Sequence, residues 1–135
     1  MRRQFELPSF DTQYLQTLGL KWETIAEHGG KKRWLLLHDW PVPTDGYNVG
    51  LAIVALLIAP GYPDAQIDMA YFHPPLARKD GKAIGALASH NLDGKTFQRW
   101  SRHRTKEAPW RPGEDDVSSH LVLVTDWLER EFEKR

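Results

Sequence analysis

Apolar and polar positions change rhythm several times along this chain, and each change marks an element. Near the start, Tyr14, Leu15 and Leu18 form an apolar side behind Leu7-Pro8-Ser9-Phe10-Asp11. This predicts a short helix capped by Asp11 and closed by Gly19. Leu20–His28 follows with Trp22, Thr24 and Ala26 on one face, the pattern of a strand. Gly29-Gly30 signals a hairpin, and the returning strand Lys32–Trp40 carries Trp34 and the run Leu35-Leu36-Leu37 before Pro41-Val42-Pro43 breaks it. Val49–Ala59 is almost wholly apolar, which predicts a central strand buried on both faces. The turn Pro60-Gly61-Tyr62-Pro63-Asp64 leads into a fourth strand, Ile67–Phe72. Four strands in succession, joined by short turns, predict an antiparallel meander.

After His73-Pro74-Pro75-Leu76 the rhythm is lost until residue 115, apart from a helical turn expected at Ala83–Ala88. An irregular run of that length is unusual in a compact domain unless it is functional. Regularity returns at the end, where Val117, Leu121, Val124, Leu128 and Phe132 recur at helical steps with Trp127 beside them. Glu114, Asp115 and Asp116 at the start of this helix, and Lys134 and Arg135 at its end, suit the helix dipole. The expected architecture is α+β in one domain over residues 1–135: an N-terminal helix, a four-stranded meander, a long irregular active segment and a C-terminal helix.

Composition narrows the chemistry. The chain has no cysteine, which removes disulfides, zinc–thiolate sites and any thiol nucleophile. The start, Met-Arg-Arg-Gln-Phe-Glu, lacks the apolar run of a secretory signal, and Leu51–Pro60 is too short to span a bilayer; a cytoplasmic protein with no membrane role is expected. Net charge is zero, yet residues 78–106 hold eight Lys/Arg against two Asp, a balance that suits an acidic partner or simply a solvated face. Within that segment, Gly94–Arg104 gathers Phe97, Trp100, Ser101, His103 and four cations in a stretch with no clear period. Such density suits a site carried on a loop; the plainer alternative is a basic turn with two aromatics in the core. The six histidines show no metal-ligand spacing, so neither metal nor other cofactor is expected.

The order of elements resembles the ubiquitin-conjugating enzyme (E2) fold. E2 proteins carry a Pro-x-x-Tyr-Pro turn between the third and fourth strands, and Pro60-Gly61-Tyr62-Pro63 keeps its Tyr-Pro with one residue fewer. Met69-Ala70-Tyr71-Phe72 falls where an E2 has its Phe-containing fourth strand. More specifically, Leu7-Pro8, Pro60–Asp64, Pro74-Pro75-Leu76, Gln98–His103 and Trp110-Arg111-Pro112-Gly113 resemble, in that order, a bacterial E2-like family of the prokaryotic E2 family E type. The resemblance implies a ubiquitin-like protein and an E1-like activating enzyme as partners, with a JAB-type or other processing peptidase beside them.

The likeness departs at the centre. A standard E2 works through a cysteine thioester after His-Pro-Asn; here His73-Pro74-Pro75 has proline for asparagine, and Ser89-His90-Asn91 lacks the proline. Anchoring on His90-Asn91 and Gly94 puts the cysteine position near Phe97, whereas anchoring on the family block puts it at Ser101. A serine needs a base, and His103, two positions on, shares a face with Ser101 if the segment is extended. In this scheme Arg102 and Arg104 draw in a carboxylate tail, Asn91 stabilises the oxyanion, and the product is an oxyester-linked ubiquitin-like protein. Ser89-His90 is the second pair, although neighbours on a strand diverge. Ser118, Ser119 and His120 are expected to serve the helix start, His28 and His38 to pack or face solvent, and Asp64 and Asp68 to be turn and strand-edge acids.

Two other classes remain. E2-like domains without a nucleophile act as adaptors, and Phe97, Arg99, Trp100, Arg102 and Arg104 would then be interface anchors. Nucleic-acid binding through residues 78–106, with Phe97 and Trp100 as stacking platforms, is disfavoured by the neutral charge and the lack of a known motif.

Overall fold

The computed structural model describes residues 1–133; Lys134 and Arg135, expected to favour the last helix end, lie outside the described residues. The first helix, α1, spans Ser9–Thr17. Strands β1 (Trp22–Glu27), β2 (Lys32–Pro41), β3 (Leu51–Leu57) and β4 (Ala70–His73) follow as neighbours, each antiparallel to the last, so the meander is present. The sheet does not stop there. Strands β5 (Leu87–Leu92) and β6 (Lys95–Trp100) form a hairpin whose second arm pairs with β4, giving the order β1-β2-β3-β4-β6-β5. The chain closes with α2 (Val117–Arg130) and a 3₁₀ turn, Glu131–Glu133.

Two expectations are corrected by this hairpin. The segment read as irregular contains a third of the strands, and Leu87 and Ala88, assigned to a helical turn, open β5. Asp93-Gly94 is the two-residue loop between the arms; its φ angles of 51° and 70° are those of a type I′ turn, which an Asp-Gly pair adopts readily. Strand β4 also starts at Ala70 rather than Ile67.

Asp11 does not cap α1, whose N-cap is Pro8 with no side-chain bond. The carboxylate instead reaches across the molecule and accepts from the Val117 backbone N–H at 3.1 Å and from the Tyr62 hydroxyl. Asp11 is fully buried, and burial pushes its carboxyl up despite these two donors. The start of α2 is further closed by a capping box: Asp116 Oδ1 accepts from Ser119 N–H at 3.0 Å while Asp116 N–H donates to Ser119 Oγ at 2.9 Å.

Both helices lie on one face of the sheet. Leu15 of α1 and Val117, Leu121, Val124 and Leu128 of α2 pack there with Leu35, Leu37, Val54, Phe72 and Trp100. The other face carries no helix among the described residues, yet Trp34, Leu36, Tyr71 and Phe97 on it are buried. The sheet achieves this by rolling on itself, the accumulated result of strand twist. The His90 ring of β5 lies 5.4 Å from the Trp34 ring of β2, although β3, β4 and β6 separate the two strands in the sheet. At the rim, Arg2 bonds both Glu23 of β1 and Asp93 of the β5–β6 turn, and Asp93 N–H donates to Glu27 at 2.8 Å. Each large apolar side chain enclosed this way contributes about 2 kcal/mol.

Candidate functional site

Strand β6 delivers Trp100 to the core and then turns. Arg102 N–H donates to the Trp100 carbonyl at 3.0 Å, a three-residue turn centred on Ser101, while Ser101 N–H donates to the Ala86 carbonyl at 3.0 Å. Past this turn the side chains diverge. Arg102 stacks over the Trp100 ring at 4.8 Å, pairs with Glu131 at 3.4 Å and donates to the Gly85 carbonyl at 3.1 Å. His103 points outward, 64% exposed, with Nδ1 at 3.1 Å from both oxygens of Asp68. Arg104 turns inward, stacks on Trp110 at 4.7 Å and bonds the Nδ1 of His120 at 3.1 Å.

The tautomers follow from these partners. Asp68 only accepts, so His103 Nδ1 carries the hydrogen and Nε2 has no partner among the described residues. His120 is reversed: its Nε2 donates to the Met69 carbonyl at 2.8 Å, and its Nδ1 accepts from Arg104. Burial lowers the pKa of His120 to about 4, so it stays neutral at ordinary pH. Burial also lowers the pKa of Arg104, whose guanidinium sits 3.8 Å from Asp115.

Ser101 and His103 are adjacent but not joined. The two-residue alignment requires an extended backbone, and the turn at Ser101 removes it; no hydrogen bond links the two side chains among the described residues. Asn91 lies near the far end of the hairpin, where its Oδ1 accepts from Thr96 at 2.9 Å. It stands five positions along the strand from Ala86, the residue bonded to Ser101, a span of about 17 Å. Ser89 is exposed on β5, and His90 points to the opposite side, against Trp34 and Tyr71, where burial and then Arg99 lower its pKa. Trp100 is completely buried, edge-on to Phe72 and bonded to Gln98, and Phe97 is 1% exposed; neither has surface to offer a partner or a base. Arg99 sits across from Tyr71 on the rolled face, with its Nε unpartnered.

The family model for prokaryotic E2 family E matches residues 7–131. The chain belongs to that family. No curated protein and no solved structure matches it. This E2 family E member has no cysteine, and no helix among its described residues is long and apolar enough to cross a membrane.

Asp68 is the partner that sequence reasoning set aside. The pairing of Ala70 with Trp100 between β4 and β6 brings residue 68 level with the segment after Ser101, a proximity no local spacing encodes. What results is an exposed imidazole oriented by a carboxylate, whose Nε2 is left able to accept a proton. Three arginines of the basic segment are committed: Arg78 holds Asp80 and the Glu131 carbonyl, Arg102 holds Glu131, and Arg104 holds His120.

Proposed function

We propose that this chain is an E2-like component of a ubiquitin-like protein conjugation pathway that docks the ubiquitin-like protein or its E1-like enzyme without carrying the acyl group. One observation carries the reading: the frame has no thiol, and its nearest hydroxyl, Ser101, is held in a turn with no bond to a base. A serine without a hydrogen-bonded base is a poor nucleophile at neutral pH. The test is to combine the chain with an E1-like enzyme, a ubiquitin-like protein and ATP. A stable complex without a covalent adduct on denaturing gels and by mass spectrometry is expected.

A second reading is favoured by the His103–Asp68 pair. Here His103 Nε2 takes the proton as Ser101 Oγ attacks the acyl carbon of the E1-bound thioester, and the departing thiolate receives that proton. An adduct that resists thiol reductants, yields to hydroxylamine and disappears in Ser101→Ala would replace the docking reading with this one. An adduct that persists in Ser101→Ala would move the nucleophile elsewhere, with Ser89 the next candidate.

A further inference from the structure

The rolled sheet has two edges, and the chain treats them differently. Along β1, residues 2–4 run as a short parallel partner. Gln4 N–H donates to the Thr24 carbonyl at 2.8 Å, Thr24 N–H donates to the Arg2 carbonyl at 3.1 Å, and the Gln4 side chain accepts from Ala26 N–H at 2.8 Å. The Arg3 guanidinium bonds the Trp22 carbonyl. This edge is closed.

Strand β5 is the other edge, and no strand or bridge lies beyond it among the described residues. Its register with β6 pairs Ala88 with Arg99, His90 with Phe97 and Leu92 with Lys95, and the Ser101 N–H to Ala86 carbonyl bond fixes which pairs exchange hydrogen bonds. By the antiparallel alternation, the N–H and C=O groups of Leu87, Ser89 and Asn91 point away from the sheet. Natural edges are usually guarded by a proline, a charge or a bulge. Leu87-Ala88-Ser89-His90-Asn91-Leu92 has none of these, and its register runs without a shift.

Two shallow hollows lie in line beside this edge and share Leu87 as a wall. One, of about 210 Å3, is floored by Pro75, Ser89, Thr96 and Gln98. The other, of about 220 Å3, is lined by Leu76, Ile84 and Lys82. Cations stand at both ends of the strand, Lys82 beside Leu87 and Lys95 opposite Leu92. The nearby acids are engaged, Asp80 by Arg78 and Asp93 by Arg2 at 2.7 Å, with Lys95 reaching Asp93 only at 4.0 Å.

We infer that the open edge of β5 binds an extended acidic peptide segment as an added strand. The outward amides and carbonyls of Leu87, Ser89 and Asn91 hold its backbone, the hollows take alternate side chains, and Lys82 and Lys95 meet its carboxylates. A second copy of this chain fits the edge less well. Two-fold antiparallel pairing of β5 with itself sets each Lys82 end against the other copy's Lys95 end, which places like charges together. This inference goes beyond the docking reading and uses neither His103 nor Asp68.

The test is an NMR titration of the chain alone with a blocked peptide of alternating glutamate and valine long enough to span β5. Because no conjugation partner is present, its result is separate from the adduct assay. The amides of Leu87, Ser89 and Asn91 are expected to shift and gain protection from exchange, while the inward amides of Ala88 and His90 change little. Ser89→Pro removes an outward donor and leaves the β5–β6 bonds intact, and is expected to weaken binding at least about tenfold. The double variant Lys82→Glu with Lys95→Glu is expected to prefer an alternating lysine and valine peptide, and serves if Ser89→Pro does not fold. Unchanged binding by a folded Ser89→Pro, an unaltered charge preference in the double variant, or shifts confined to other surfaces would overturn the inference. So would protection of the same three amides that grows with protein concentration in the absence of peptide, which would mark a contact between copies.

Discussion

His103 and His120 each have Nδ1 3.1 Å from a charged side chain, and the sign of that charge separates their roles. Asp68 accepts from His103, which leaves Nε2 toward solvent on a side chain 64% exposed. Arg104 donates to His120, whose Nε2 is spent on the Met69 carbonyl in a fully buried position. One imidazole is oriented and accessible; the other is a neutral joint between α2, the start of β4 and the segment after β6. The difference shows what leaves one imidazole accessible and locks another into the architecture: burial and the partner's charge decide, and sequence neighbours do not.

The contrast is broken most severely at the buried joint. His120→Ala leaves the Met69 carbonyl and the Arg104 guanidinium without their partner and opens a cavity, and is expected to cost about 3 kcal/mol in urea unfolding. A pH series sharpens it next. His120 titrates near 4 when folded against an ordinary 6.5, so between those values the unfolded chain binds a proton that the folded chain does not. Stability is therefore expected to fall as pH drops from about 6.5 to 4, by up to about 3 kcal/mol, with a shallower fall in His120→Gln. The smallest effect belongs to the exposed pair: His103→Ala or Asp68→Ala is expected to change unfolding free energy by less than about 0.5 kcal/mol.

Much of the frame was legible in the pattern of residues. The meander followed from alternation and from Gly29-Gly30, and α2 from the spacing of Val117, Leu121, Val124 and Leu128. The β5–β6 hairpin was legible too, in Asp93-Gly94, but the polar residues of β5 and the cations of β6 masked the alternation on either side. Asp68 was not legible as a partner of His103, 35 residues away, because the contact depends on β4 pairing with β6. Nor was the inward turn of Arg104, since an arginine in a basic run reads as solvated until its burial against Trp110 is known. Asp11 was assigned to the wrong helix for the same reason: a cap can be supplied from across the fold, and spacing records only local ones.

That last bond ties together segments that are distant in the chain. Asp11 and Val117 are separated by 106 positions, and the carboxylate that satisfies the first amide of α2 stands in the first turn of α1. Neither helix can detach without stranding a buried polar group on the other, Asp11 with Tyr62 on one side and the Val117 amide on the other. The two helices are therefore expected to release together, which amide exchange would read as a shared opening free energy for α1 and α2.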